Sequence, residues 1–495
     1  MNLPSEFAER TLDLLGEETY HALETALQAE APVSIRVNRT KREAEVAGER
    51  VPWSSAGVYL SRRPAFTFDP LFHAGCYYVQ EASSMFVEQV LRTYVPGPAV
   101  MLDLCAAPGG KSTHARSALP GGSLLVANEV MRNRSQVLAE NLIKWGDAEV
   151  VVTNNDPADF NALTNMFDVI LTDVPCSGEG MFRKDPVAVG EWSVDNVQIC
   201  WQRQRRILAD VWPALKPGGL LIYSTCTYNK EEDEENVVWI ARELGAEILE
   251  VPVSSEWGIT GNLIGEDFPV YRFLPHKAKG EGFFLAALRK NLLSCPSASH
   301  PSFSSHSVPY QSERSEASVV VRDGREKVKK GKQKGEKGKQ SPSILLPKEA
   351  KTWLRQPDEF QFEMKGAKVV AFPKVHLSEY IALQQALRII HAGVTIGEIK
   401  GKDLIPDHSL AMSTALNRNA FPQAELSYEQ AIAYLRKEAV VLEEVVPRGY
   451  VLLTYQGMPL GFAKNIGNRA NNLYPQEWRI RSGYLPQAEV VVVKP

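Results

Sequence analysis

The chain has 495 residues, 44% of them hydrophobic and 23% charged, with a net charge of −4. That length suits about three or four domains of ~100–200 residues. The sequence has no apolar run near the roughly 20 residues of a membrane helix, and its acidic start, MNLPSEFAERTLDLLG, lacks a basic-then-apolar leader pattern, so a cytoplasmic protein with no membrane partner is expected. The six cysteines (76, 105, 176, 200, 226 and 295) show no metal-type clustering, which favours free thiols in a reduced compartment and no metal site. Charge is uneven: residues 1–321 sum to about −13, the stretch 322–339 to about +6 and residues 344–495 to about +3. A polyanionic partner is therefore attracted mainly by the C-terminal part.

Residues 1–70 read as a small α+β module, with helices from Phe7 to Leu15 and from Thr19 to Gln28 and a strand VSIRVN at 33–38. From 71 to 290 apolar strands alternate with helices: AVMLDL (99–104), SLLVAN (123–128), AEVVVT (148–153), FDVILTD (167–173), GLLIYST (219–225) and GFFLAAL (282–288). This alternation predicts an α/β, parallel, doubly wound sheet, with its ligand beyond the carboxyl ends of the strands. Residues 291–343 are Ser-rich and then Lys/Gly-rich and are expected to form a disordered linker. Order is expected again from Ile344, with a helical segment over 376–393 and a β-rich module over 425–495 built on AVVLEEV, GYVLLTYQG, PLGFAKN and AEVVVVK.

The strand ends carry the chemistry. In DLCAAPGGKST (103–113) a strand runs into a small-residue turn where Gly109 and Gly110 let the backbone approach a ligand. It matches neither the GxGxxG nor the P-loop pattern. Glu129 follows the next strand about 20 residues on, where an acid commonly holds ribose hydroxyls. Asp156 in TNNDP follows the third, placed either to accept from an adenine amino group or to form an Asx turn before Pro157. Asp173 ends the fourth in DVPCSGEG, which also contains Cys176, and STCTY places Cys226 after the fifth. Two thiols and a carboxylate are thus expected to meet at one rim, in loops where catalytic groups concentrate. Cys76, Cys200 and Cys295 read as small buried hydrophobes.

Taken together, DLCAAPGGKST, DVPCSGEG and STCTY resemble the RNA cytosine-5 methyltransferases of the Nop/Sun family. PVSIRVNRTK (32–41), YYVQEASSM (77–85), KGKDLIPDHSLAMS (400–413) and QGMPLGFAKNIGNRANNLYPQEWRIR (456–481) are similar to a bacterial branch of it acting on the small ribosomal subunit. The resemblance implies a Rossmann-like methyltransferase domain over 71–290, a first C-terminal domain over 344–420 and a PUA-like RNA-binding domain over 421–495. It implies S-adenosylmethionine as cofactor and 16S rRNA, within the small subunit, as partner of a monomer. It assigns the cofactor loop to Cys105, Ala106, Ala107, Pro108, Gly109, Gly110 and Lys111. Glu129 takes the ribose role, Asp156 the adenine role, and Asp173 lies near the methionyl end. Cys226 becomes the nucleophile and Cys176 the cysteine associated with product release.

Cytosine carbon-5 is too weak a nucleophile to attack a methylsulfonium unaided; a thiolate adding to carbon-6 makes it enamine-like. Asp173 is placed to favour the charge that develops, and Cys176 is the candidate base for the carbon-5 proton. Glu235-Asn236-Val237 also occurs in DNA cytosine methyltransferases, where Pro-Cys supplies the nucleophile; within KEEDEENVVWIARE it reads as an acidic helix start. Arg448, Lys464, Arg469, Arg479, Arg481, Tyr474 and Trp478 are candidate RNA contacts, set against a solvated β surface with core aromatics. A second functional reading is an RNA-binding ribosome-assembly factor whose methylation is secondary, and a third is a catalytically silent homologue.

Overall fold

In the computed structural model, residues 2–292, 346–484, 486 and 488–494 are described. The expected linker falls largely on residues outside that set. The described segments form one compact unit built on four sheets. No helix among the described residues is long and apolar enough to cross a membrane.

The central sheet has the strand order 246–249, 283–290, 215–225, 167–173, 100–103, 124–128, 150–153 and 389–392, with 271–273 pairing to 283–290. Its five middle strands are parallel, rich in Val, Leu and Ile, and buried on both faces, as doubly wound sheets require. The chain winds outward from Val100–Asp103 through Leu124–Asn128 to Val150–Thr153, then returns to place Phe167–Asp173 on the other side of the first strand. The order therefore reverses between Asp103 and Asp173, the point where such sheets bind ligands. Phe283–Lys290 was expected among the parallel strands but pairs antiparallel to Leu215–Thr225.

The N-terminal sheet joins Val33–Val37 to Gly57–Leu60 and to Tyr77–Val79, so it extends past residue 70. Its apolar face shares a core with the last module: Ile35, Val58 and Tyr77 pack with Ile432, Tyr434 and Leu453. The segment expected to be helical over 376–393 divides into a helix, Leu377–Ala386, and a strand, Ile389–Ala392. The β-branched pair Ile389-Ile390 gains more from the open edge of Val150–Thr153 than from another helical turn, so the tail completes the central sheet. In the last module, GYVLLTY and MPLGFAKN form the hairpin Gly449–Tyr455 and Met458–Asn465. AVVLEEV and AEVVVVK, also expected as strands, make only isolated bridges, Val440 to Ala470 and Lys494 to Glu45; Val440 and Val493 are buried by core packing instead.

Candidate active site

Each proposed residue reaches the rim by simple chain geometry. Gly109 has φ +113°, a conformation that favours glycine, and turns the chain from the strand ending at Asp103 into the helix Gly110–Ala118. Around this turn Ala106 N–H donates to Asn128 O (2.8 Å), Arg134 donates to Ala107 O (2.8 Å) and Asn141 donates to Pro108 O (2.8 Å). The 105–111 loop is thereby tied to the next strand and to the helix Arg132–Trp145. Burial and the surrounding carboxylates push the Cys105 thiol well up, so it stays protonated.

Lys111, on the first turn of its helix, reaches across the switch point to Asp173 (Nζ–Oδ2 2.8 Å), while Ser224 donates to the other Asp173 oxygen (2.9 Å). Burial alone would depress the Lys111 ammonium. Asp173, with smaller contributions from Cys226 and Asp103, more than offsets this and holds its pKa above the ordinary value. Asp103 belongs to the first motif, and no role of its own was expected for it. It is fully buried, accepts from Ser112 Oγ (2.6 Å), and its pKa is pushed up to about 7 by burial, with Asp173 adding to the rise. Its other oxygen, Oδ1, has no partner among the described residues.

Glu129 is nearly buried at its strand end, accepting from Met131 N (2.8 Å) and pairing with Arg134 at 3.4 Å. Asp156 is exposed and caps the turn Pro157–Ala162 through Ala158 N (3.1 Å). This is the Asx-type geometry weighed against an adenine contact.

The two thiols meet. Cys176 Sγ lies 3.0 Å from Cys226 Sγ and accepts from the Cys226 N–H at 3.3 Å. The hydrogen bond to Cys226, followed by burial, pushes the Cys176 pKa well up, so Cys176 stays protonated. Cys76 and Cys200 are buried away from this pair, and Cys295 lies outside the described residues.

Behind the thiols stands a network that spacing did not reveal. The Glu232 carboxylate accepts from Ser177 N (3.0 Å), Asn229 Nδ2 (2.8 Å) and Gln204 Nε2 (2.6 Å). Gln204 also donates to Pro175 O (3.0 Å), and Asn229 to Thr227 Oγ1 (2.8 Å). One carboxylate thus holds the chain on both sides of Cys176 and the residue after Cys226. Burial, only partly countered by these donors, pushes its pKa up to about 7. Three acids of the expected acidic helix start, Glu232, Asp233 and Glu234, are buried. Asp233 accepts from Thr225 (2.5 Å) and pairs with Arg272 (2.9 Å), and Glu234 also pairs with Arg272. Asn236 is buried too, donating to Gln204 Oε1 (2.7 Å) and Tyr223 OH (3.0 Å). Among the RNA candidates, Tyr474 is fully buried and Trp478 packs on the same core, so these two are core aromatics; Arg448, Arg469 and Arg481 are exposed.

The fold matches solved structures. A methyltransferase homologue from Pyrococcus horikoshii is 30% identical, with TM-score 0.50, over 58% of this chain and 95% of that one. NSun6 from the same organism, solved with SFG, is 22% identical, with TM-score 0.50, over 58% and 98%. With the thiols and carboxylates gathered at the switch point, this fold defines a Rossmann-like methyltransferase. Family models match residues 96–289 as 16S rRNA methyltransferase RsmB/F, 3–82 as the N-terminal domain of 16S rRNA methyltransferase RsmF, and 421–480 as the methyltransferase RsmF PUA domain. Ribosomal RNA small subunit methyltransferase F of Enterobacter sp. (strain 638) is 30% identical over 97% of both chains, and that of Citrobacter koseri is 31% identical over 88% of this chain and 85% of its own. The chain belongs to the 16S rRNA methyltransferase RsmB/F family and is an S-adenosylmethionine-dependent rRNA methyltransferase. Its rim suits that cofactor: three acids, Asp103, Glu129 and Asp173, stand against two cations, Arg134 and Lys111, and the buried Asp103 Oδ1 has no partner among the described residues, an acceptor left for a ligand rich in donors and positive charge.

Proposed function

We propose that the chain methylates carbon-5 of a cytosine in 16S rRNA through a covalent bond between Cys226 and carbon-6. The observation that carries this is the thiol pair, Cys176 and Cys226 at 3.0 Å, beside the Lys111–Asp173 ion pair at the switch point. Residues 105–111 with Glu129 and Asp156 hold S-adenosylmethionine, which supplies an electrophilic methyl group. Asp156 spends one oxygen on its turn and offers the other.

Cys226 gives its thiol proton to water and adds to carbon-6 as a thiolate, donating an electron pair and leaving carbon-5 electron-rich. Cys176 S–H donates to that sulfur, and the Lys111 ammonium adds favourable charge. Asp173 is placed to hydrogen-bond the base edge. Once carbon-5 carries the methyl group, its proton must leave, and the returning electron pair expels Cys226. Cys176, 3.0 Å from that sulfur, gives its own proton to water and takes the one from carbon-5, directly or through water. The target base must be unstacked to reach these groups.

The test is a mass-shift assay on ribosomal RNA from cells lacking the protein, rescued with wild type or Cys226→Ala. Wild type restores 5-methylcytosine and Cys226→Ala does not. Restoration by Cys226→Ala removes it as nucleophile. Restored ribosome maturation without any mark favours the assembly-factor reading.

A further inference from the structure

Far from the thiols, the end of the helix Arg132–Trp145 meets a crevice of about 370 Å³. Its walls come from three parts of the chain: Thr40 and Lys41, Arg355 with 411–414 and 416–419, and Met458 with Pro459 of the PUA domain. The lining has three cations, Lys41, Arg355 and Arg418, with Ser413, Asn417 and Asn419, and includes no carboxylate. In a chain of net charge −4, that grouping is not set by composition.

Main-chain oxygens hold the cations instead of acids. Lys41 Nζ donates to Ala74 O (2.7 Å) and Lys144 O (2.5 Å), Arg355 to Thr414 O, and Arg418 to Gly457 O (3.0 Å). Lys41 is specifically accommodated. A Cβ on Gly146 would lie 2.7 Å from its Cε, and one on Gly75 would lie 3.2 Å from its Nζ. Burial, with Arg418 and Lys144 adding to it against a rise from Cys76, lowers the Lys41 pKa to about 8; Arg418 is lowered by burial and then by Arg355. The structure orients these cations toward one another without neutralising them, which favours an anion in the crevice.

We infer that this crevice is a second RNA-binding site, in which Arg355 and Arg418, backed by Lys41, grip a phosphodiester of the rRNA away from the target cytosine. A polyanion spanning the N-terminal and PUA modules matches the three-part wall. Guanidinium groups bind phosphate with paired donors, and Asn417 and Asn419 add neutral donors. The inference rests on rRNA being the substrate but not on which base is methylated.

The experiment measures binding of the full chain to deproteinised 16S rRNA over a range of salt concentrations, without methyl transfer. Wild type is compared with Arg355→Gln/Arg418→Gln and with Asn419→Asp, an exposed position where a carboxylate neutralises the crevice. The double variant is expected to bind about tenfold more weakly and to flatten the log–log salt slope by about 0.7, the loss of one phosphate contact. Asn419→Asp is expected to weaken binding in the same direction, while both retain S-adenosylmethionine binding. A control, Arg203→Gln/Arg206→Gln on the exposed side of the helix Val194–Val211, is expected to change the slope little. Unchanged binding in both crevice variants overturns the inference, as does an equal loss in the control. If the methylated base is not cytosine, the binding result still stands and only the chemical reading fails.

Discussion

Two charged regions of this molecule solve opposite problems. At the catalytic rim every cation has an internal partner: Lys111 meets Asp173 at 2.8 Å, and below it Arg272 serves Asp233 and Glu234. In the crevice beside the PUA domain, Lys41, Arg355 and Arg418 meet only carbonyl oxygens and each other. Internal pairing leaves the rim without a free cation, so in the proposed reaction its chemistry turns on the proton shared by two sulfurs. Unpaired cations leave the crevice dependent on an external anion. Removal of a rim residue should therefore damage turnover or folding, whereas removal of a crevice cation should damage binding.

The sharpest break is at the thiols. Cys226→Ala is expected to lose more than about 10⁴-fold in methyl transfer, because the proposed reaction runs through an adduct on that sulfur. Cys176→Ala should instead accumulate protein–RNA adduct, visible as a slow-migrating band after denaturing electrophoresis. Absence of adduct together with normal turnover would take Cys176 out of the release step. Next in size is the buried pairing beneath. Arg272→Met strands two carboxylates and removes the donor to Tyr228 O, at a cost of about 3–5 kcal/mol in urea unfolding at pH 7. A loss below about 1 kcal/mol would show that the rim does not depend on that pairing.

A third effect comes from pH. Burial raises the Glu232 pKa from 4.5 to about 7 in the folded protein. A raised folded-state pKa means that Glu232 contributes stability below about pH 4.5, and that this is lost as pH rises through about 7. The stability of wild type relative to Glu232→Gln is thus expected to fall by up to about 3 kcal/mol between pH 4.5 and 8. A difference independent of pH would mean that Glu232 titrates normally.

The same residue shows what spacing can and cannot convey. The parallel core strands were legible because each is a short apolar run bounded by turn residues, and the rim was legible because its motifs lie at successive strand ends. Glu232, Asp233 and Glu234 were not, since an acidic run before a helix normally means solvent. Their burial depends on Arg272, 38 residues beyond Glu234, and on the neutral donors Gln204 and Asn229. Ile389–Ala392 was misread as helix for a related reason: its partner strand, Val150–Thr153, lies more than 200 residues earlier, and no local pattern announces an open edge. Tyr474 offered the same sequence signal as an RNA-stacking ring, and its placement in the core shared with the N-terminal sheet depends on that distant contact.

The smallest effect is the most diagnostic of how the two cysteine loops are joined. Every group around the Glu232 carboxylate is a donor: Ser177 N–H and the amides of Asn229 and Gln204. Glu232→Gln keeps the shape but turns one acceptor into an NH₂ facing a donor, so Asn229 or Gln204 must rotate away. Rotation of Gln204 frees Pro175, and rotation of Asn229 frees Thr227, loosening the chain beside Cys176 or Cys226. The expected cost is about 1–2 kcal/mol in the barrier, roughly tenfold in kcat with KM nearly unchanged, together with loss of any kcat inflection near pH 7. Merely weakened folding would lower the amount of active enzyme without moving that inflection. A variant with wild-type kcat and an intact pH profile would show that the thiols hold their 3.0 Å approach without this carboxylate.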